Sequence, residues 1–101
     1  MFVRVARFEG GTAAGMTEQA DRLREELAHL DQLPPPIRAV KHVLMLVDPD
    51  AGVSLDLVFC ESMDDLRAVD AVLNEASPAS AGSGRRSSVQ VFEVALDAPL
   101  D

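Results

Sequence analysis

The sequence predicts one α+β domain with the element order βαββαβ. Its four strands form an antiparallel sheet of spatial order 4-1-3-2, with both helices on one face. Two observations lead there. Four segments of strand length are rich in β-branched and other apolar residues, and two longer segments repeat apolar residues with the period of a helix. They follow one another as two strand–helix–strand units in tandem, and right-handed crossovers then put both helices on the same side. With 101 residues there is room for a single core. The domain is expected to span residues 1–97, with 98–101 as a C-terminal tail.

The first strand is Phe2 to Phe8 (FVRVARF), which stops at the Gly10-Gly11 pair. The first helix runs from Met16 to about Gln32. Met16, Ala20, Leu23, Leu27 and Leu30 are spaced by four and three, so they share one face. Glu18, Arg22, Arg24, Glu25 and Glu26 occupy the other. Pro34-Pro35-Pro36 cannot continue a helix and forms a stiff connector. Val40 to Val47 (VKHVLMLV) is the second strand. Asp48-Pro49-Asp50-Ala51-Gly52 makes a turn, and Val53 to Cys60 (VSLDLVFC) returns as a hairpin. Ser62 reads as the N-cap of the second helix, with Asp65 as its capping-box partner. Leu66, Val69, Val72 and Leu73 form that helix's buried stripe, which ends before Pro78. Residues 77–88 (SPASAGSGRRSS) read as a Ser/Gly loop and Val89 to Leu96 (VQVFEVAL) as the last strand.

Composition narrows the function classes. The 48% hydrophobic content is that of a globular chain, and no apolar run reaches the length needed to span a bilayer. Nine Lys and Arg against seventeen Asp and Glu give a net charge of −8. That charge repels phosphate backbones and anionic lipid, which argues against nucleic acid and membrane as partners. The opening strand lacks the continuous apolar stretch of a signal peptide, and a lone cysteine suits a reducing compartment. The expected location is cytoplasmic.

The strands also predict a partner. Two helices cover one face of the sheet, and the other face should then alternate with polar residues. Val43-Leu44-Met45-Leu46-Val47 and Leu57-Val58-Phe59 are apolar on both faces, and so is the last strand. The second face needs a cover, and no segment remains to supply one. The simplest cover is the same face of a second copy, so a homodimer through the open sheet face is expected.

In this order and patterning the chain resembles the dimeric α/β-barrel superfamily, the ferredoxin-like proteins related to the antibiotic-biosynthesis monooxygenases. The resembling segments are MFVRVARFEGG, VLMLVDPDAGVSLDLVFCESMDDLRAVDAVLN and SVQVFEVAL, which span most of the chain. The resemblance implies two sheets packed face to face as a barrel, with a ligand cavity in each protomer. It also implies varied roles, among them cofactor-independent oxygenation and haem degradation. The oxygenases typically use a Trp, an Asn and aromatic or His residues. This chain has no Trp or Tyr, and its one Asn, Asn74, falls in the second helix. No catalytic residue is carried over, and no cofactor is expected.

The remaining candidates come from the residues themselves. If Val3 and Val5 face the helices, Arg4 points to the open face. If Leu55, Leu57 and Phe59 face the helices, Asp56 points there too. A charged pair in an apolar barrel could orient a polar ligand, although a structural ion pair is the commoner use of such residues. His42 joins them as barrel lining if the hairpin register turns it inward; otherwise it is an edge-strand histidine. His29 is expected to face solvent. Cys60 precedes a helix start, yet Glu61, Asp64 and Asp65 oppose a thiolate there, so it reads as a small buried residue. One Cys and two His do not make a zinc site. Gly10-Gly11-Thr12-Ala13-Ala14-Gly15 is a loop rather than a dinucleotide fingerprint, and Gly82-Ser83-Gly84-Arg85-Arg86 is a weak anion-binding pattern beside the plainer reading of a solvated loop.

Three functions fit. The first is a homodimeric α/β barrel that binds a small, mostly apolar ligand, with Arg4, His42 and Asp56 as its polar lining and no identifiable catalytic set. The second is a cofactor-independent monooxygenase-like enzyme acting on a quinol or polycyclic substrate. The third is a regulatory or dimerisation module.

Overall fold

A computed structural model describes residues 1–75 and 81–101. The four strands are β1 (Phe2–Glu9), β2 (Val40–Asp48), β3 (Val53–Cys60) and β4 (Arg85–Glu93), and the two helices are α1 (Ala13–Leu27) and α2 (Met63–Glu75). The strands form one antiparallel sheet in the order β2-β3-β1-β4, which is the expected 4-1-3-2 arrangement read from the other edge. The domain is α+β and ferredoxin-like.

The largest departures from the expected boundaries are at α1 and β4. α1 begins at Ala13, because Thr12 caps it: its hydroxyl accepts from the Gly15 N–H at 3.0 Å. It ends at Leu27, and the chain continues through short 3-10 turns at Leu30–Gln32 and Pro35–Ala39. Leu33 and Pro34, each followed by a proline, are extended, which prevents an α-helical continuation. β4 runs over Arg85–Glu93 instead of Val89 to Leu96. Its span follows its partner: Glu9 pairs Arg85 and Phe2 pairs Glu93, with the Val94 N–H still donating to Met1 O at 2.9 Å just beyond. The end of α2 before Pro78, and residues 77–80 of the expected loop, lie outside the described residues.

The local signals act as expected at two sites. Ser62 Oγ accepts from the Asp65 N–H at 3.1 Å, which caps α2. In the hairpin turn Asp48 Oδ1 accepts from the Ala51 N–H at 3.2 Å, and Gly52 takes φ +70°.

The register defines the two faces of the sheet, since directly paired residues point the same way. On the helix side the rows are Val40–Cys60–Phe2–Glu93, Val43–Val58–Arg4–Val91, Met45–Asp56–Ala6–Val89 and Val47–Ser54–Phe8–Arg86. On the open side they are His42–Phe59–Val3–Phe92, Leu44–Leu57–Val5–Gln90 and Leu46–Leu55–Arg7–Ser88. The buried core lies under α2. Leu66, Val69 and Cys60 are sealed there with Ile37 and Val58, and Phe2, Leu33, Val40, Met63, Val72 and Leu73 pack around them. The open side is dominated by Val, Leu and Phe, with Leu44, Leu46 and Phe92 exposed.

Candidate functional site

Arg4 and Asp56 do not lie on the open face. Both point toward the helices. The expectation assigned the more apolar residues of each strand to the helix side, and the chain does the reverse. Val53, Leu55, Leu57 and Phe59 face outward from β3, while Ser54, Asp56, Val58 and Cys60 face the helices. On β1, Val3 and Val5 face outward, and Phe2, Arg4, Ala6 and Phe8 face inward.

Arg4 is only 3% exposed, and α2 supplies its partners. Arg4 Nε donates to Asp70 Oδ1 at 2.7 Å, and its Nη2 donates to Asn74 Oδ1 at 3.0 Å. Asn74 Nδ2 donates in turn to Asp70 Oδ2 at 3.1 Å, one helical turn away. A second guanidinium closes the group from β4: Arg86 Nη1 donates to the same Asn74 Oδ1 at 3.0 Å. The network joins β1, α2 and β4.

Asp56 stands apart from that network. It sits between Ala6 and Met45 in its row, and its buried Oδ1 has no hydrogen-bond partner among the described residues. Burial pushes its carboxyl up from the ordinary 3.8 to about 6, against the opposing pull of the Arg4 guanidinium. A second orphaned acceptor, Gln19 Oε1, comes from α1. Buried acceptors without partners are uncommon in native folds and call for an explanation.

α1 covers the sheet incompletely. Met16 and Gly15 are buried at its start, Ala20, Leu23 and Leu27 are half-buried, and Leu30 is exposed. Its N-terminus is fixed by backbone contacts: Thr12 N–H donates to Gly82 O at 2.9 Å, and Gly11 N–H donates to Gly52 O at 3.0 Å. A Cβ on Gly15 would collide with the Gly82 carbonyl. Among the described residues these ties lie at the N-terminal end, and Ala20, Leu23 and Leu27 along the rest are half-buried. An open groove of about 360 Å³ flanks it, lined by Arg22, Glu25, Glu26, His29, Gln32 and Leu33. Its mostly charged walls suit solvent better than an apolar ligand.

His42 takes the opposite face from Arg4 and Asp56. Pairing shifts by one residue between Val40 and His42, so Lys41 bulges and His42 turns to the open side. Its ring lies 5.5 Å from that of Phe59, tilted by 53°. The structure therefore brings Arg4 and Asp56 to one side of the sheet and leaves His42 on the other. His29 is exposed at the end of α1. Cys60 is completely buried, and its thiol is pushed up, first by burial and then by Asp65, with Lys41 opposing. Among the described residues no group of His, Cys, Asp and Glu is arranged to hold a metal ion, and no helix is long and apolar enough to cross a membrane.

Sequence reasoning missed the roles of Asp70, Asn74 and Gln19. The first two carry a readable signal, being polar residues four apart at the margin of the Leu66–Val69–Val72–Leu73 stripe, and Gln19 carries none that separates it from other surface polar residues. Arg86 falls in the weak anion-binding pattern Gly82 to Arg86, whose contact with Asn74 the sequence does not indicate.

The fold places the chain among ferredoxin-like α+β proteins. No family model matches it, and no curated protein is similar to it in sequence. Solved structures do resemble it. One is the heme-degrader MhuD from Mycobacterium tuberculosis with two hemes bound in its active site, at 18% identity and a TM-score of 0.64, covering 98% of this chain and 100% of that one. Another is a mutant of MhuD, an arginine replaced by serine, with two manganese protoporphyrin IX molecules per active site, at 17% identity and a TM-score of 0.60, covering 98% and 99%. At this identity the likeness establishes the fold.

The residues here do not fit haem. Arg4, Asp56, Asp70, Asn74, Gln19 and Met45 supply guanidinium, carboxyl, amide and thioether groups. The imidazole, thiolate or phenolate that commonly holds haem iron is missing from this set. His42 is across the sheet, His29 is at the exposed end of α1, and Cys60 is sealed in the core.

Proposed function

We propose that the chain belongs to the monooxygenase-like dimeric α/β barrels, acts as a homodimer through its open sheet face, and binds a small, mostly apolar ligand. The ligand site lies between α1 and the helix side of the sheet in each protomer, not in the interior made by the joined open faces. One observation carries this reading. Asp56 Oδ1 is buried on the helix side of the sheet without a partner among the described residues, and α1 carries an apolar stripe, Ala20, Leu23 and Leu27, that is only half-buried. An apolar lining with a few orienting polar groups is what small-molecule sites present. The open face has the large apolar side chains of an interface core, and Arg7, Ser88 and Gln90 toward one side.

Titration calorimetry with 1-naphthol tests the ligand reading. The expected result is saturable binding of one molecule per chain, lost in Leu23→Trp, which fills the gap. Absence of saturable binding to the dimer would overturn it. Sedimentation at micromolar concentration tests the dimer, and a monomer there refutes that part.

Asp56 favours a second reading, cofactor-independent oxygenation of a quinol or polycyclic phenol. A carboxyl that titrates at about 6 is placed to accept a proton near neutral pH. It would take the proton from the substrate hydroxyl, leaving a phenolate electron-rich enough to reduce dioxygen. Oxygen consumption with a naphthoquinol, abolished by Asp56→Asn, is the supporting result. Equal rates in both proteins exclude Asp56 as the base.

A further inference from the structure

The geometry points to a carboxylate-binding subsite at Arg86, held in place by Asn74 and Arg4, so that the ligand is an amphipathic organic acid whose apolar body lies against the sheet and whose anionic end meets the Arg86 guanidinium. The inference rests on the ligand reading above and specifies the ligand's charge. Arg4 and Arg86 both direct an N–H at one neutral acceptor, Asn74 Oδ1, each at 3.0 Å. Two like charges share an amide oxygen. Asp70 neutralises only Arg4. No carboxylate among the described residues lies within ion-pair distance of Arg86. This occurs in a chain of net charge −8, where acidic partners are abundant, so the missing counter-charge is specific to the site.

The two guanidiniums also differ in freedom. Arg4 is buried and locked by two bonds that also fix Asn74, whereas Arg86 is exposed and is held to Asn74 through one of its nitrogens. A guanidinium presents five N–H donors in a planar fork, so Arg86 retains an edge that can take a carboxylate in two-point contact. Apolar surface adjoins it on the same face. Val91 is 41% exposed beside Arg4, and Val89 follows beside Ala6. An acid with its carboxylate on Arg86 would lay its apolar part along Val91 and Val89. Arg4, Asn74 and Asp70 act here as positioning residues, since they hold the site's charge and the Arg86 side chain in place.

Calorimetric titration of the full chain with decanoate and with decanol separates charge from apolar contact. Decanoate is expected to bind at least about tenfold more tightly than decanol, the equivalent of one charge-assisted hydrogen bond. Its affinity should fall as salt is raised. In Arg86→Gln, which keeps a donor for Asn74, decanoate binding should drop to the level of decanol while decanol binding is unchanged. If decanol binds as well as decanoate, or if Arg86→Gln leaves the ratio intact, the carboxylate subsite is refuted and the apolar site stands. If neither compound binds, the ligand reading falls and this inference with it.

Discussion

Asp56 should cost the fold stability at neutral pH, and the size of that cost follows from its surroundings. Its carboxyl is pushed from 3.8 to about 6 by burial between Ala6 and Met45. At about 1.4 kcal/mol per pH unit, ionised Asp56 opposes folding by about 3 kcal/mol, an upper figure because water reaching the gap would reduce it. The sign is fixed by proton counting. Between pH 3.8 and about 6 the folded chain holds a proton on Asp56 that the unfolded chain has lost, so this group favours folding less and less as pH rises through that window. Above about pH 6 the cost is present in full, and below 3.8 it vanishes. Asp56→Asn has nearly the same shape and no charge. It should raise the melting temperature at about pH 7.5 by an amount on the order of 10 °C, given roughly 4–8 °C per kcal/mol for a domain of this size. Parallel thermal melts of both proteins from about pH 7.5 down to about pH 3.5 are the assay. The two should converge as pH falls from about 6, and taking the difference cancels the contribution of the other carboxylates. An Asn variant that melts lower near pH 7.5, or a difference that does not change with pH, would refute the argument.

Other substitutions test the remaining parts. Arg4→Met leaves Asp70 and Asn74 without their buried donor and should lower stability by about 2 kcal/mol in urea unfolding, with no change of slope. Gly15→Ala should destabilise the chain, although Gly→Ala inside a helix ordinarily gains about 1 kcal/mol, because the new Cβ meets the Gly82 carbonyl; a gain would show that the approach relaxes freely. Leu44→Glu alters a residue that is exposed in the protomer, so far-UV circular dichroism should be unchanged while sedimentation shifts from dimer to monomer. Leu66→Ala opens a hole in the sealed core and should cost about 2–5 kcal/mol in the same urea assay.

The sequence made the fold legible because its signals act locally. The Ser62 cap, the Asp48–Gly52 turn and the apolar runs each determine structure within a few residues, and element order then leaves one arrangement of the sheet. Facing was not legible. Along β3 both alternating sets contain apolar residues, Leu55-Leu57-Phe59 and Val58-Cys60, and the more apolar set faces away from the helices. His42 shows the same limit at one residue. Continuous alternation from Val40 would turn it toward the helices, and the bulge at Lys41 reverses it. A bulge depends on pairing with β3, which no local pattern in β2 reveals. Arg86 depended on a similar irregularity: β1 and β4 shift between Arg7 and Phe8, and that shift sets Arg86 opposite Phe8 on the helix side.

The distribution of polar groups over the two faces gives the proposed site its physical sense. The central strands of the open face hold Val3, Val5, Leu55, Leu57 and Phe59, with Arg7 toward one end, so the proposed second copy could cover most of that face without taking charges out of water. The helix side is different, since side chains from α2 can reach down to partner what the sheet presents. Arg4 is satisfied in that way by Asp70 and Asn74. Asp56 Oδ1 has no partner among the described residues, and Gln19 Oε1 on α1 is a second buried acceptor without one. A fold optimised for stability alone would place a leucine at position 56. On the proposed reading, the unpaired Asp56 carboxyl is where a bound ligand would donate. The Asp56→Asn melts and the naphthol titration probe that explanation from its two sides, stability without the ligand and affinity with it.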